Sequence, residues 1–143
     1  MSTFQADIRA AAVSLMTDYA ASAGIRLQVY AGRPASIHPP TAFVDGIHET
    51  ILYSGPTIRI RTPTVNMIVV HRLFDSAEAA AQKDAFIDGF LDYALTRYHE
   101  AGANTVIGVT ATEDLPNYSP EWITERREVY YATAITMEGL GTD

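Results

Sequence analysis

Nine residues near the middle of the chain, TVNMIVVHR from Thr64 to Arg72, place apolar side chains at both odd and even positions. A strand with one wet face alternates apolar and polar residues, so a run that is apolar on both faces belongs in the centre of a sheet. The rest of the chain has to supply its neighbours.

The flanking segments can do so. Upstream, Phe4, Ile8, Ala11, Ala12, Leu15, Met16 and Tyr19 recur at helical spacing and predict a helix from about Thr3 to Ala23. Ser2 and Gln5 form a capping box at its start, and Gly24 stops it. IRLQVY (Ile25 to Tyr30) reads as a strand, followed by the Pro-rich loop GRPASIHPP. TAFVDGIHETIL (Thr41 to Leu52) and TIRIR (Thr57 to Arg61) read as strands flanking YSGP. Downstream, a second helix begins at Asp75, which caps while Glu78 reaches back, and ends near His99 before Gly102. NTVIGVTATED (Asn104 to Asp114) is a strand, LPNYSPEWITERRE (Leu115 to Glu128) a long loop or short helical turn, and VYYATAITMEG (Val129 to Gly139) a last strand. The closing LGTD is expected to fray. The order predicts one domain over residues 1–143, with an α+β fold: a mixed, mainly antiparallel sheet with two helices packed on one face. No repeat or linker interrupts it.

Charge and cysteine content narrow the chemistry. With Lys+Arg 10 against Asp+Glu 17, the formal charge is −7, which repels phosphate and anionic lipid and argues against sequence-specific DNA binding through a basic face. With no cysteine, the chain has no disulfide framework and no thiolate chemistry. The opening MSTFQADIRAAAVSLM lacks the basic and apolar regions of a signal peptide, and no stretch reaches the ~18 consecutive apolar residues of a membrane span. A soluble protein is expected.

Motifs with catalytic meaning are weak. Asp84, Asp88 and Asp92 recur every four residues, but they drift from the margin of the apolar arc of Phe86, Ile87, Phe90, Leu91, Ala94, Leu95 and Tyr98 toward solvent. A wet helix edge explains them better than a metal site. His48-Glu49 and His99-Glu100 imitate a zinc-protease motif without the second histidine that would put two imidazoles on one helical face. His38, His48, His71 and His99 fall in four different elements, with no ligand spacing. No nucleotide loop and no nucleophile elbow is present. Hence no catalytic, cofactor-binding or metal-ligating residue is assigned.

Two stretches suit an interface instead. In TIRIRTP, Ile58 and Ile60 alternate with Arg59 and Arg61, which predicts two guanidinium groups on the outer face of a strand; solvation alone explains them equally well. NYSPEWITERRE offers Tyr118, Trp122, Arg126 and Arg127, the residue types most often found as interface anchors. The alternative for Trp122 is to plug the domain's own core.

HPPTAFVDGI (His38 to Ile47), LFDSAEAAAQKDAFIDGFLDYALTRYHEAGANTVIGVTATED (Leu73 to Asp114), and PNYSPEW with YYATAITMEG (Pro116 to Gly139) resemble, in this order, the tail terminator family of long-tailed bacteriophages. That resemblance implies a small ring-forming structural protein without catalytic residues. It would cap the tail tube as a homohexamer, end tail polymerisation, and present a joining surface to the head connector. It also implies a virion protein of the tail–neck junction, made in the host cytoplasm, through whose lumen DNA passes without specific binding. Met1 to Arg33 lie outside the strongest match. The rival readings are an adjacent neck protein (a head–tail stopper or completion protein), or a small α+β ligand-binding module or enzyme that gathers Asp84, Asp88 and His71 or His99 in a pocket.

Overall fold

The computed structural model of the chain describes residues 4–73, 76–96, 106–123 and 128–142. Helix α1 spans Phe4–Ala23. Ile8, Ala12 and Met16 are fully buried along one stripe, with Ala11, Leu15 and Tyr19 beside them. Gly24 ends the helix at φ +69°, a backbone geometry that glycine adopts without steric cost. The Ile25 N–H then donates to the Ala20 carbonyl (2.9 Å) and the Gly24 N–H to that of Ala21 (3.3 Å), closing a Schellman turn.

Five strands follow: β1 (Gln28–Tyr30), β2 (Thr41–Tyr53), β3 (Arg59–Leu73), β4 (Val106–Tyr118) and β5 (Tyr130–Thr142), with helix α2 (Ser76–Thr96) between β3 and β4. The sheet order is β1-β2-β3-β5-β4. Among the described residues, only β1 against β2 is parallel; the other three pairings are antiparallel. The apolar run of Thr64 to Arg72 therefore lies in the middle strand, as its pattern requires.

Both helices pack on one face. Ala42 and Val44 of β2, Val65, Met67 and Val69 of β3, and Ile135 and Met137 of β5 meet Ile8, Met16, Phe86, Ile87 and Phe90 in the main core. Tyr19 locks the two helices together: its ring packs edge-on against Phe86 (5.3 Å) and Phe90 (5.5 Å), and its hydroxyl donates to the Phe86 carbonyl at 3.1 Å. The opposite face carries a second cluster, Phe43, Ile68, Val70 and Ala132, covered by Ile37 from the Pro-rich loop and by Trp122 and Ile123. This two-sided cover is why the consecutive residues Met67, Ile68, Val69 and Val70 of β3 are all apolar.

The predicted architecture holds: an α+β fold with a mixed, mainly antiparallel sheet and both helices on one face. Details differ. Ile25 to Leu27 are not part of β1. The segments read as two strands around Thr62-Pro63 form one continuous β3, so three strands and not four precede α2. Proline is tolerated there because pairing with β5 skips Thr62 and Pro63, so no ladder bond on that side needs the missing N–H. β4 likewise runs through Pro116 to Tyr118, where a loop was predicted. The predicted second-helix ends at Asp75 and His99 lie outside the described residues.

Candidate assembly interface

The β2–β3 hairpin is the feature least explained by the domain's own packing. Its two strands pair continuously from Gly46↔Asn66 to Tyr53↔Arg59. The Ser54 N–H donates to the Ile58 carbonyl at 2.9 Å to close the turn, and Gly55 takes the positive φ of +101° inside it. The tip is apolar. Among the described residues, four of the seven large hydrophobic side chains that stay exposed are Ile51, Leu52 (62%), Tyr53 (69%) and Ile58. By register, Ile51 and Tyr53 lie on one face of the hairpin and Leu52 on the other, so its tip exposes apolar side chains on both sides, a feature that suits a contact site.

β2 also has an open edge. β1 pairs only with Thr41 to Phe43, so from Val44 to Tyr53 β2 has β3 on one side and no strand on the other among the described residues. At the far end of the sheet, β4 presents its outer edge from Val106 to Tyr118 in the same way. Unpaired N–H and C=O groups along such edges are templates for another strand.

The predicted anchor residues take different places. A register shift between Val44 and Gly46 sets Ile47, Glu49 and Ile51 toward the helices, opposite Val65, Pro63 and Arg61. Arg61 is thus turned toward the helix side and buried, and Arg59, two residues away in an unbroken register, shares that face; the expectation that both lie on the outer face is corrected. Its Nε and one terminal nitrogen donate to both oxygens of Glu49, the latter at 2.8 Å, and Gln5 of α1 donates to the same carboxylate at 2.7 Å. The ion pair ties β2 to β3, and the Gln5 hydrogen bond links it to α1. Arg59 is half-buried and sits opposite Tyr53 near the tip, while Ile58, expected to point inward, is exposed.

Trp122 folds onto the domain. Its ring meets Phe43 edge-on at 5.5 Å, its indole N–H donates to the Pro34 carbonyl at 2.9 Å, and the Arg33 guanidinium lies 4.6 Å from the ring centre. Tyr118 packs in the same cluster; burial first, and then the negative charge of Asp45, push its hydroxyl pKa up to about 12. Arg126 and Arg127 lie outside the described residues.

The carboxylate stripe is solvent-exposed at Asp84, Asp88 and Asp92. Lys83, beside it, reaches Asp84 at 2.5 Å and Asp114 of β4 at 2.9 Å, tying α2 to the sheet. Among the described residues, no three His, Cys, Asp or Glu side chains group as metal ligands would.

His71 does enter a polar cluster. It is buried, its Nε2 lies 2.9 Å from the Thr133 hydroxyl, and its ring packs edge-on against Phe86 at 5.2 Å. Burial pushes its pKa down to about 4, with the Lys83 charge acting the same way and Asp114 opposing. A cleft of about 290 Å³ opens beside it, walled by Tyr19, Ile25, Pro40 and Phe86. Neither Asp84 nor Asp88 lines it, so the carboxylate–histidine pocket of the enzyme reading is not assembled through His71; His99 lies outside the described residues.

The apolar tip was visible in the sequence as Ile51-Leu52-Tyr53, a break in the alternation of its strand just before the turn. Whether such a run is covered depends on a strand from elsewhere reaching it, and β1 is too short to do so.

No protein-family model matches the chain, and a search of the curated proteins found no match.

Proposed function

We propose that this protein is a non-enzymatic, ring-forming virion component that caps the tail tube of a long-tailed bacteriophage, ends its growth and offers the exposed ring face to the head connector. The observation that carries the reading is the projecting β2–β3 hairpin with Ile51, Leu52, Tyr53 and Ile58 exposed at its tip. A hairpin tied to α1 through Arg61, Glu49 and Gln5 and apolar at its end suits cover by another protein surface. Open strand edges on both sides of one sheet agree with repetition of the subunit around a closed ring. The resemblance of the His38-to-Gly139 blocks to tail terminators supplies the biological setting.

Each subunit adds −7 to the ring, so its summed field repels duplex DNA within a Debye length, ~8 Å at physiological salt. A conduit for DNA needs this lack of adhesion. Labelled duplex titrated with the protein should show no binding at moderate salt.

The cleft beside His71 favours a second reading, a small-ligand module. Negative-stain microscopy of the purified protein decides between them. Hollow rings with sixfold averages support the capping function. A compact monomer whose melting temperature rises with small ligands supports the module.

A further inference from the structure

The strand directions specify more than an unspecified subunit contact. Taken in sheet order, β2 runs opposite to β3, β3 opposite to β5, and β5 opposite to β4. β4 is therefore antiparallel to β2 of the same chain, and the two strands bound the sheet's long free edges. If a second copy is set beside the first with its helices on the same side, β4 of one comes to lie antiparallel to β2 of the other. The alternation of strand sense then continues across the joint without a break, in the stronger of the two pairing modes. Both free segments are long: ten residues of β2 beyond its contact with β1 (Val44 to Tyr53) and the thirteen residues of β4. The two edges differ, so the contact is heterologous, the kind that generates a ring when its rotation closes and an open filament when it does not.

From this geometry we infer that the subunit joint is a β-augmentation between β2 of one copy and β4 of the next. The inference rests on the ring reading and names the strands that build it. It accounts for the position of the exposed apolar residues, since Ile51, Leu52 and Tyr53 lie on the free length of β2 itself and gain cross-strand apolar neighbours when a strand docks there. It also accounts for the short β1, which covers only the first three residues of β2 and leaves the rest open to a partner.

The absence of cysteine makes a clean test possible. Thr50 and Ala111 are exposed, and their registers turn both away from the helices, Thr50 on β2 and Ala111 on β4. Thr50→Cys and Ala111→Cys are prepared as separate proteins and treated with a short bismaleimide, alone and mixed, while native mass is measured in parallel. The expected result is a covalent dimer in the mixture and none in either protein alone. A chain carrying both cysteines should give a ladder that stops at the ring size. Dimers of Thr50→Cys with itself would mean an isologous joint and overturn the proposal. Rings in the mass measurement without any cross-link would overturn the β2–β4 joint while leaving the ring intact. Monomers throughout would remove the ring reading, and the joint with it.

Discussion

Arg61 grips both carboxylate oxygens of Glu49 across the β2–β3 hairpin, on the face that α1 covers. Both side chains are nearly out of solvent, at 11% and 5% exposure. Breaking such a pair leaves a buried charge behind, which costs more than the pair contributes when intact. Arg61→Met should destabilise the protein by about 3 kcal/mol, whereas replacing both residues by Met should recover most of that loss. Urea unfolding of the two single variants and the double variant measures the coupling. Additive losses would show that the pair does not act as a unit.

His71 ties stability to pH. Above its ordinary pKa of 6.5, neither the folded nor the unfolded chain protonates it. Between 6.5 and about 4, only the unfolded chain takes up the proton, because burial holds the folded imidazole neutral. Stability thus falls as pH drops through this window, by up to about 3 kcal/mol in total. Chemical denaturation at pH 7, 5.5 and 4.5, compared with His71→Gln, should show a shallower pH slope in the variant. Equal slopes would assign the acid sensitivity to carboxylates instead.

Trp122 binds the covering loop to the sheet through Phe43 and the Pro34 carbonyl. Trp122→Ala should cost about 3 kcal/mol of folding and lower the melting temperature. An unchanged melting temperature with weakened assembly would return it to the role of interface anchor.

Gly89 lies under Tyr19: a Cβ there would sit 2.5 Å from the tyrosine hydroxyl oxygen. Gly→Ala inside a helix ordinarily stabilises by about 1 kcal/mol, but overpacking costs roughly 1–3 kcal/mol, and the Tyr19 ring is held by Phe86 and Phe90. Gly89→Ala should therefore be neutral to destabilising. Adding Tyr19→Phe, which removes the clashing oxygen, should restore the helix gain in thermal melts. A stabilised single variant would mean that the tyrosine moves freely.

The helices and the central strand were legible because their patterns are local: the α1 stripe repeats within the helix, and the Thr64 to Arg72 run shows its burial directly. The place of Arg61 is hidden by the Thr62-Pro63 interruption of the strand pattern. Dividing β3 at Thr62-Pro63 discarded the parity that puts residues 61, 63, 65 and 67 on one face, and Val65 and Met67 fix that face as the helix side. The partner of Trp122, Phe43, is far away in sequence, so no local pattern distinguishes a core plug from an anchor. The hairpin tip was half legible: its apolar residues are plain in the chain, but their exposure depends on how far β1 extends.

The most direct test of a ring built through the hairpin compares the native mass of the unmodified protein with that of the Leu52→Ser/Tyr53→Ser variant over a wide range of concentration. Both substitutions fall on exposed side chains, which usually changes stability by under ~0.5 kcal/mol, so the variant should melt as the parent does. The account predicts closed hexamers of the 15.6 kDa chain for the parent and monomers for the variant. Hexamers that survive the double substitution, or a parent that stays monomeric at every concentration, would contradict it.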